Sequence, residues 1–209
     1  MSAPSVSAEN HPVAARSRGF AIFSILLGLI GWFASFELLT EYLKTLQEPD
    51  YIPNCAVSLL VTCGPNMGSW QGSVLGFSNT IIGVSAFVAP IAVGVATLAG
   101  ARFAPWFWGV YQIGLLGGFV LVSWLQYQSI FEIFTLCPWC MVIWAVMIPL
   151  WWNGLVRPFA VGDIPIGERG RRFAQAAHGW VWVIVVVNYL VIAAVAQFQL
   201  DWLAEFSRI

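Results

Sequence analysis

The placing of the charged residues constrains this chain more than any other feature. They divide it into uncharged runs at Gly19 to Phe36, Gly64 to Ala101, Phe103 to Phe131, Ile133 to Val156 and Phe173 to Leu200. Each run can hold an apolar helix of about 20 residues, the length that crosses a bilayer. The spacing predicts five such helices, at about Phe20 to Leu39, Thr80 to Ala99, Pro105 to Leu125, Cys137 to Leu155 and Trp180 to Phe198, in an all-α polytopic membrane protein. With 59% of 209 residues hydrophobic and 9% charged, no water-exposed domain of useful size is left over. Nine Lys and Arg against ten Asp and Glu leave no basic surface for nucleic acid. The two histidines, His11 in a polar arm and His178 in a charged stretch, offer no ligands for a haem inside the membrane.

Lys and Arg near the span ends set the orientation. With a cytoplasmic N-terminus, Arg16, Arg18, Arg102, Arg157, Arg169, Arg171 and Arg172 fall inside, and Lys44 and Arg208 outside. The first run follows two arginines as a signal peptide would, but it is long and carries Glu37 where small cleavage-site residues belong, so it reads as a retained anchor. Residues 1–17 read as a disordered cytoplasmic arm and 18–156 as a four-helix core with an outer cysteine loop at 43–79. Residues 157–179 read as a cytoplasmic loop, and 180–209 as a fifth helix with a short outer tail. MGSWQGSVLGF, rich in Gly and Ser, reads as a half-helix in the interface with Trp70 and Phe77 at headgroup depth. Gly109, Gly114, Gly117 and Gly118 read as points of close helix approach, and Pro90 and Pro149 as kinks a membrane helix tolerates. The spans hold too few ionisable groups for an ion-coupled transport pathway.

Chemistry is left to four cysteines, Cys55, Cys63, Cys137 and Cys140, spaced C-x7-C and C-x2-C. The topology brings all four to the outer, oxidising surface. Cys137-Pro138-Trp139-Cys140 opens a helix, where unpaired N–H groups and the helix dipole favour a thiolate at Cys137. One turn deeper, Cys140 faces hydrocarbon, where an apolar oxidant such as a membrane quinone can meet it. Cys55 and Cys63 lie in a loop exposed to soluble partners and suited to thiol–disulfide exchange. Two other readings stand beside this one: a single zinc held by the four cysteines, and a purely structural Cys55 to Cys63 staple. Ser69 and Asn79 are candidate donors to a quinone carbonyl, although Asn79 would serve equally as a helix cap. Trp106, Trp108, Trp151, Trp152, Trp180 and Trp182 read as interfacial anchors, leaving Trp139 and Trp144 as candidates for an aromatic contact to a ligand. Glu37 and Glu132 read as boundary carboxylates, solvated or relaying protons.

NCAVSLLVTCGPNMGSWQGSVLGFSNTIIG, followed much later by CPWC at the head of a span, resembles the bacterial vitamin K epoxide reductase homologues over about Gly19 to Val156. The ordered set of loop pair, Ser69, Asn79 and C-x-x-C is specific to that family. The resemblance implies a four-helix transmembrane bundle around a quinone, either menaquinone or ubiquinone. It makes Cys55 and Cys63 the loop shuttle pair and Cys137 and Cys140 the active-site pair, and it puts Asn79 and Ser69 at pocket positions. Where the family often has Tyr one turn after the second C-x-x-C cysteine, this chain has Trp144. Bacterial members commonly carry a fused thioredoxin-like domain after a fifth span; with the sequence stopping at Ile209, a separate DsbA-like thioredoxin-fold partner is implied. DsbB-type quinone reductases share the chemistry but carry their cysteine pairs in the reverse order. The expected function is a thiol:quinone oxidoreductase of the bacterial inner membrane that re-oxidises this partner and so supports disulfide bond formation. Electrons would pass from Cys55 and Cys63 to Cys137 and Cys140 and on to quinone. The alternative is a non-enzymatic membrane scaffold with one structural loop disulfide.

Overall fold

A computed structural model describes residues 11–48 and 50–206. Its helices are α1 (His11–Gln47), α2 (Gly64–Gly68), α3 (Asn79–Ala86), α4 (Val88–Leu98), α5 (Pro105–Phe131), α6 (Pro138–Val161), α7 (Gly167–Leu200) and α8 (Trp202–Phe206), with a 3-10 turn at Trp70–Ser73. Among the described residues, five segments are long and apolar enough to cross a membrane: Arg18–Gln47, Asn79–Leu98, Pro105–Ile133, Pro138–Val161 and Gly167–Leu200. The protein is an all-α polytopic membrane protein. Among the described residues the β component is one isolated parallel bridge between Val61 and Leu136.

The helices pack in the order α4, α1, α6, α5, and α7 lies against the outside of α6. Because α3 and α4 make little direct contact with α5, the four-helix ring is nearly open on that side. Close approach between α1 and α4 rests on glycine. A Cβ on Gly94 would lie 2.7 Å from the Ala21 carbonyl oxygen, and one on Gly28 would lie 2.7 Å from Ile91. This corrects the expectation for α5, where Gly109, Gly114 and Gly117 have open space around the Cβ position and only Gly118 meets a neighbour, Met147. Gly114 and Gly118 instead leave room for the cavity described below.

Proline shapes two of the spans differently. Pro90 has no N–H to give the Ala86 carbonyl, and the second span breaks there into α3 and α4. Pro149 and Pro158 both lie inside α6, yet the helix runs on unbroken. Their rings orphan the carbonyls of Ala145 and Gly154, and neighbouring helices satisfy both. Tyr189 of α7 donates its hydroxyl to Ala145 O at 2.5 Å, and Gln112 of α5 donates Nε2 to Gly154 O at 3.3 Å.

Several boundaries differ from the sequence expectation. Residues 11–17, read as part of an unstructured arm, already belong to α1; residues 1–10 lie outside the described residues. The segment read as a loop over 157–179 is mostly helix, with only residues 162–166 between α6 and α7. Its charges, on Arg169, Arg171 and Arg172, stand exposed on the helix surface rather than ending it. The stretch Met67 to Phe77 is not one half-helix. It breaks at Ser69, whose backbone is extended and whose hydroxyl accepts from Gly72 N–H to start the 3-10 turn. Trp108 and Trp151 are buried core residues rather than interfacial anchors, whereas Trp106, Trp180 and Trp182 are exposed.

Candidate functional site

All four cysteines lie at one end of the bundle. Cys55 and Cys63 form a disulfide with Cα atoms 5.8 Å apart, and Cys137 and Cys140 are free thiols. The Cys137 sulfur lies 3.2 Å from that of Cys63, and both residues are fully buried. Two loops zipped together by main-chain hydrogen bonds produce this contact. Leu136 N–H donates to Leu60 O at 2.8 Å and Thr62 N–H donates to Leu136 O at 3.1 Å, so the residues preceding each cysteine run side by side. The loop before Cys137 turns sharply at Phe134, whose φ of 58° lies in the left-handed region. It is held by Ser129 Oγ donating to Thr135 O and by Asn66 Nδ2 donating to Thr135 Oγ1 at 2.8 Å.

Cys137 is the N-cap of α6, with Pro138 at the first helical position, and its sulfur accepts the Cys140 N–H at 3.4 Å. Burial pushes this thiol up. The hydrogen bond from the Cys140 side chain and those from the backbone N–H groups of Cys140 and Trp139 outweigh that, holding Cys137 below the ordinary thiol range. The arrangement favours a thiolate at the sulfur that touches Cys63.

Cys140 stands one turn deeper, in the wall of a cavity of about 580 Å³ enclosed by α1, α3, α4, α5 and α6. Its walls are almost entirely apolar, formed by residues such as Leu38, Val93, Leu115, Val122, Ile143 and Met147. Polar groups concentrate at the cysteine end: Asn66, Gln71, Ser78, Asn79, Thr80 and Ser129. Gln71 reaches across to α5, donating Nε2 to Gln128 Oε1 at 3.3 Å.

The sequence candidates divide on this geometry. Asn79 and Trp144 line the cavity, whereas Ser69 and Trp139 do not. The Ser69 hydroxyl is committed to its own turn, donating to Asn66 O at 3.0 Å. Trp139 turns to α1, edge-on to Phe33 at 5.9 Å. Asn79 is not the helix cap; Ser78 is, accepting from Thr80 N–H. The Asn79 amide instead ties down the 3-10 turn, donating to Gln71 O at 2.6 Å and accepting from Val74 N–H at 3.3 Å. Glu132 is exposed, and neither it nor Glu37 reaches the cavity. The carboxylate that matters structurally is Glu41, passed over in the sequence although Lys44, Tyr51 and Asn54 lie close by in the chain; Gln71 went unnoticed because it stands in an uncharged loop.

Two vicinal thiols set against a disulfide, with one of them opening on a greasy cavity, are equipped for dithiol–disulfide exchange and little else. The sequence matches the model of the vitamin K epoxide reductase family over residues 22–154, more than half of the chain. The chain belongs to the vitamin K epoxide reductase family. Its members are membrane thiol–disulfide oxidoreductases that act on quinone and are generally coupled to thioredoxin-fold partners. The matched region ends within α6, so α7 and α8 lie outside it. A search of the curated proteins found no match.

Proposed function

We propose that the protein re-oxidises a separate DsbA-like thioredoxin-fold protein at the extracytoplasmic face of the bacterial inner membrane and passes its two electrons to menaquinone or ubiquinone. The observation that carries this reading is the line of sulfurs. Cys63 touches Cys137, Cys137 accepts the N–H of Cys140, and Cys140 opens on the cavity.

The relay begins from a partner dithiol, a Cys55–Cys63 disulfide and a Cys137–Cys140 disulfide. A partner thiolate attacks Cys55 and frees Cys63 as thiolate, which attacks Cys137 and releases Cys140. The second partner thiolate then frees Cys55 and leaves with its own disulfide formed. Cys55 attacks Cys63 in the Cys63–Cys137 bond, so the loop disulfide re-forms and Cys137 and Cys140 remain as the dithiol. That end state has the bonding pattern seen here, Cys55 joined to Cys63 and the other two free. All four cysteines are used in this exchange, and the entering dithiol is that of the thioredoxin-fold partner.

The cavity suits a quinone. Its volume falls in the range of small-molecule sites, its walls are apolar, and its amide groups stand at the same end as Cys140. When bound, the quinone takes up the two electrons and two protons of the dithiol. The chain's own contribution is position. Asn79 and Gln71 stand where ring oxygens would be held, Trp144 supplies an apolar wall one turn below Cys140, and the gap beside α5 leaves room for an isoprenoid tail. The orientation follows from charge: Arg18, Arg102, Arg157, Arg169, Arg171 and Arg172 lie toward the end away from the cysteines, and Lys44 toward the cysteine end.

The test is quinone reduction by the purified protein. With dithiothreitol as donor, wild type should turn over and Cys140→Ala should lose activity by at least about a thousandfold, the scale for removing a reacting group. Cys55→Ala should lose turnover with a reduced thioredoxin-fold donor yet keep it with dithiothreitol. No turnover by wild type with either quinone would replace this reading with that of a scaffold carrying a structural disulfide.

A further inference from the structure

The Glu41 carboxylate is the most deeply buried charge in the described residues, with 1% of its surface exposed, and the relay does not use it. It stands near the end of α1 and collects an unusual number of donors. Lys44 Nζ approaches at 2.9 Å, Tyr51 OH at 2.9 Å, Asn54 N–H at 2.8 Å and Asn54 Nδ2 at 3.3 Å. Burying a carboxylate is costly unless its lone pairs are taken up, and here they are taken up by the chain that leads into Cys55. The Asn54 bond is made by the backbone N–H, so it fixes the path of the main chain one residue before the cysteine.

The cysteine loop is therefore fastened at two places of different kind. Its far end, after Leu59, is held by the main-chain bridge to Leu136 beside Cys137. Its near end is held by the one carboxylate. Between the two, Ile52, Val57 and Leu59 are exposed, Leu59 at 95%, and the stretch is held by Cys55, packed with Leu38 and Met67, and by Val57 N–H donating to Val61 O at 2.9 Å. Yet the disulfide itself is shielded, Cys55 at 5% exposure and Cys63 at 0%.

We infer that Glu41 is a positioning residue, a latch that keeps the Cys55–Cys63 disulfide closed to small soluble thiols and seated against Cys137. Losing the latch frees Tyr51 to Asn54 while Val57 stays on Val61 and Cys63 stays bridged in place, so the disulfide opens to solution at the Cys55 side. The inference rests on the exchange reading above only for its biological meaning; the loop chemistry can be measured without quinone.

Reduction of the loop disulfide by glutathione, in which two glutathione thiols become one disulfide as Cys55 and Cys63 become thiols, is followed in the purified full-length chain by alkylation and peptide mass. Glu41→Ala should speed it on the order of tenfold or more, the loss of a charged hydrogen-bond set expressed as a local opening. Glu41→Gln, which keeps an acceptor for the Asn54 N–H, should fall between Glu41→Ala and wild type. Dithiothreitol-driven quinone reduction, which enters at Cys140 from the cavity that Glu41 does not line, should stay at the wild-type rate in both. A wild-type glutathione rate in Glu41→Ala overturns the latch. If Glu41→Ala is unfolded, Tyr51→Phe decides: it removes one hydroxyl from the carboxylate, and an unchanged rate overturns the latch equally. Should wild type fail to reduce quinone, the proposed function falls, while the glutathione comparison still decides on Glu41.

Discussion

At the end away from the cysteines, the Arg157 guanidinium lies 4.1 Å from the ring centroid of Phe20 and 5.5 Å from that of Trp108, and it pairs with Asp163 at 3.1 Å. Phe103, Phe107 and Tyr111 pack edge-on around the same Trp108. At the cysteine end, the corresponding space is filled by loops held through small sets of hydrogen bonds: the main-chain pair at Leu136, the donors gathered on Glu41, and amides such as Asn66 and Asn79. Close-packed rings and a stacked cation resist rearrangement, because moving any one of them opens a void. Hydrogen bonds can exchange one partner for another at little net cost. Disulfide exchange requires sulfurs to change partners in turn, so it belongs at the end built from replaceable contacts, while the other end keeps the helices in register.

The largest effect should come from the aromatic end and should leave the chemistry alone. Trp108 is 3% exposed, and Trp108→Ala should cost about 3–5 kcal/mol of stability, the range for removing a buried large aromatic side chain. Thermal unfolding in detergent would show it as a large fall in Tm. Dithiothreitol-driven quinone reduction, scaled to the folded fraction, should be unchanged; a loss there would mean that the two ends are coupled more tightly than their contacts indicate.

A pH titration sharpens the same comparison from the cysteine end. Since Cys137 is held below the ordinary thiol range by donors from Cys140 and Trp139, its thiolate should persist as pH falls past the point where a free cysteine is protonated, and be lost only below its lowered value. Ultraviolet absorption by thiolate in the reduced protein measures this. Cys140→Ala removes the side-chain donor and should move the transition back up, whereas Trp108→Ala should not move it. Equal shifts in the two variants would argue that general loosening, and not the local hydrogen bonds, sets the value.

What could be read from the sequence follows the reach of the interactions. Charge spacing placed the five spans, because a charge in hydrocarbon is costly wherever it falls. The C-x-x-C at a helix start was equally plain, since Pro138 at the first helical position is a local rule. Long-range contacts were not legible: the Val61 and Leu136 bridge joins loops far apart in the chain, and nothing local marks either residue. Glu41 was missed because its partners come from a turn whose path cannot be read from residue types. Trp108 was misread because tryptophan near a span end is usually an anchor, and only the packing of α1 and α6 shows that this one is enclosed. Ser69 failed to reach the cavity for a local reason, its hydroxyl being taken by its own turn.

The smallest expected effect tests the seam between the ends. Pro149 leaves the Ala145 carbonyl without its helical partner, and the Tyr189 hydroxyl from α7 satisfies it. Tyr189→Phe keeps the ring and removes only that donor, so it should cost about 1–3 kcal/mol, the penalty for leaving a backbone carbonyl unpaired in a span where no water replaces the donor. The same α6 carries Cys140, and the far end of α7 packs through Ala196 against Ile130, Leu136 and Trp144, with Cys140 at the edge of that cluster. If α7 only braces α6, Tyr189→Phe should lower Tm slightly and leave quinone turnover at wild-type values. A fall in turnover without a fall in Tm would mean that α7 sets the position of Cys140, and the division into a rigid end and an exchanging end would then have to include the fifth helix on the exchanging side.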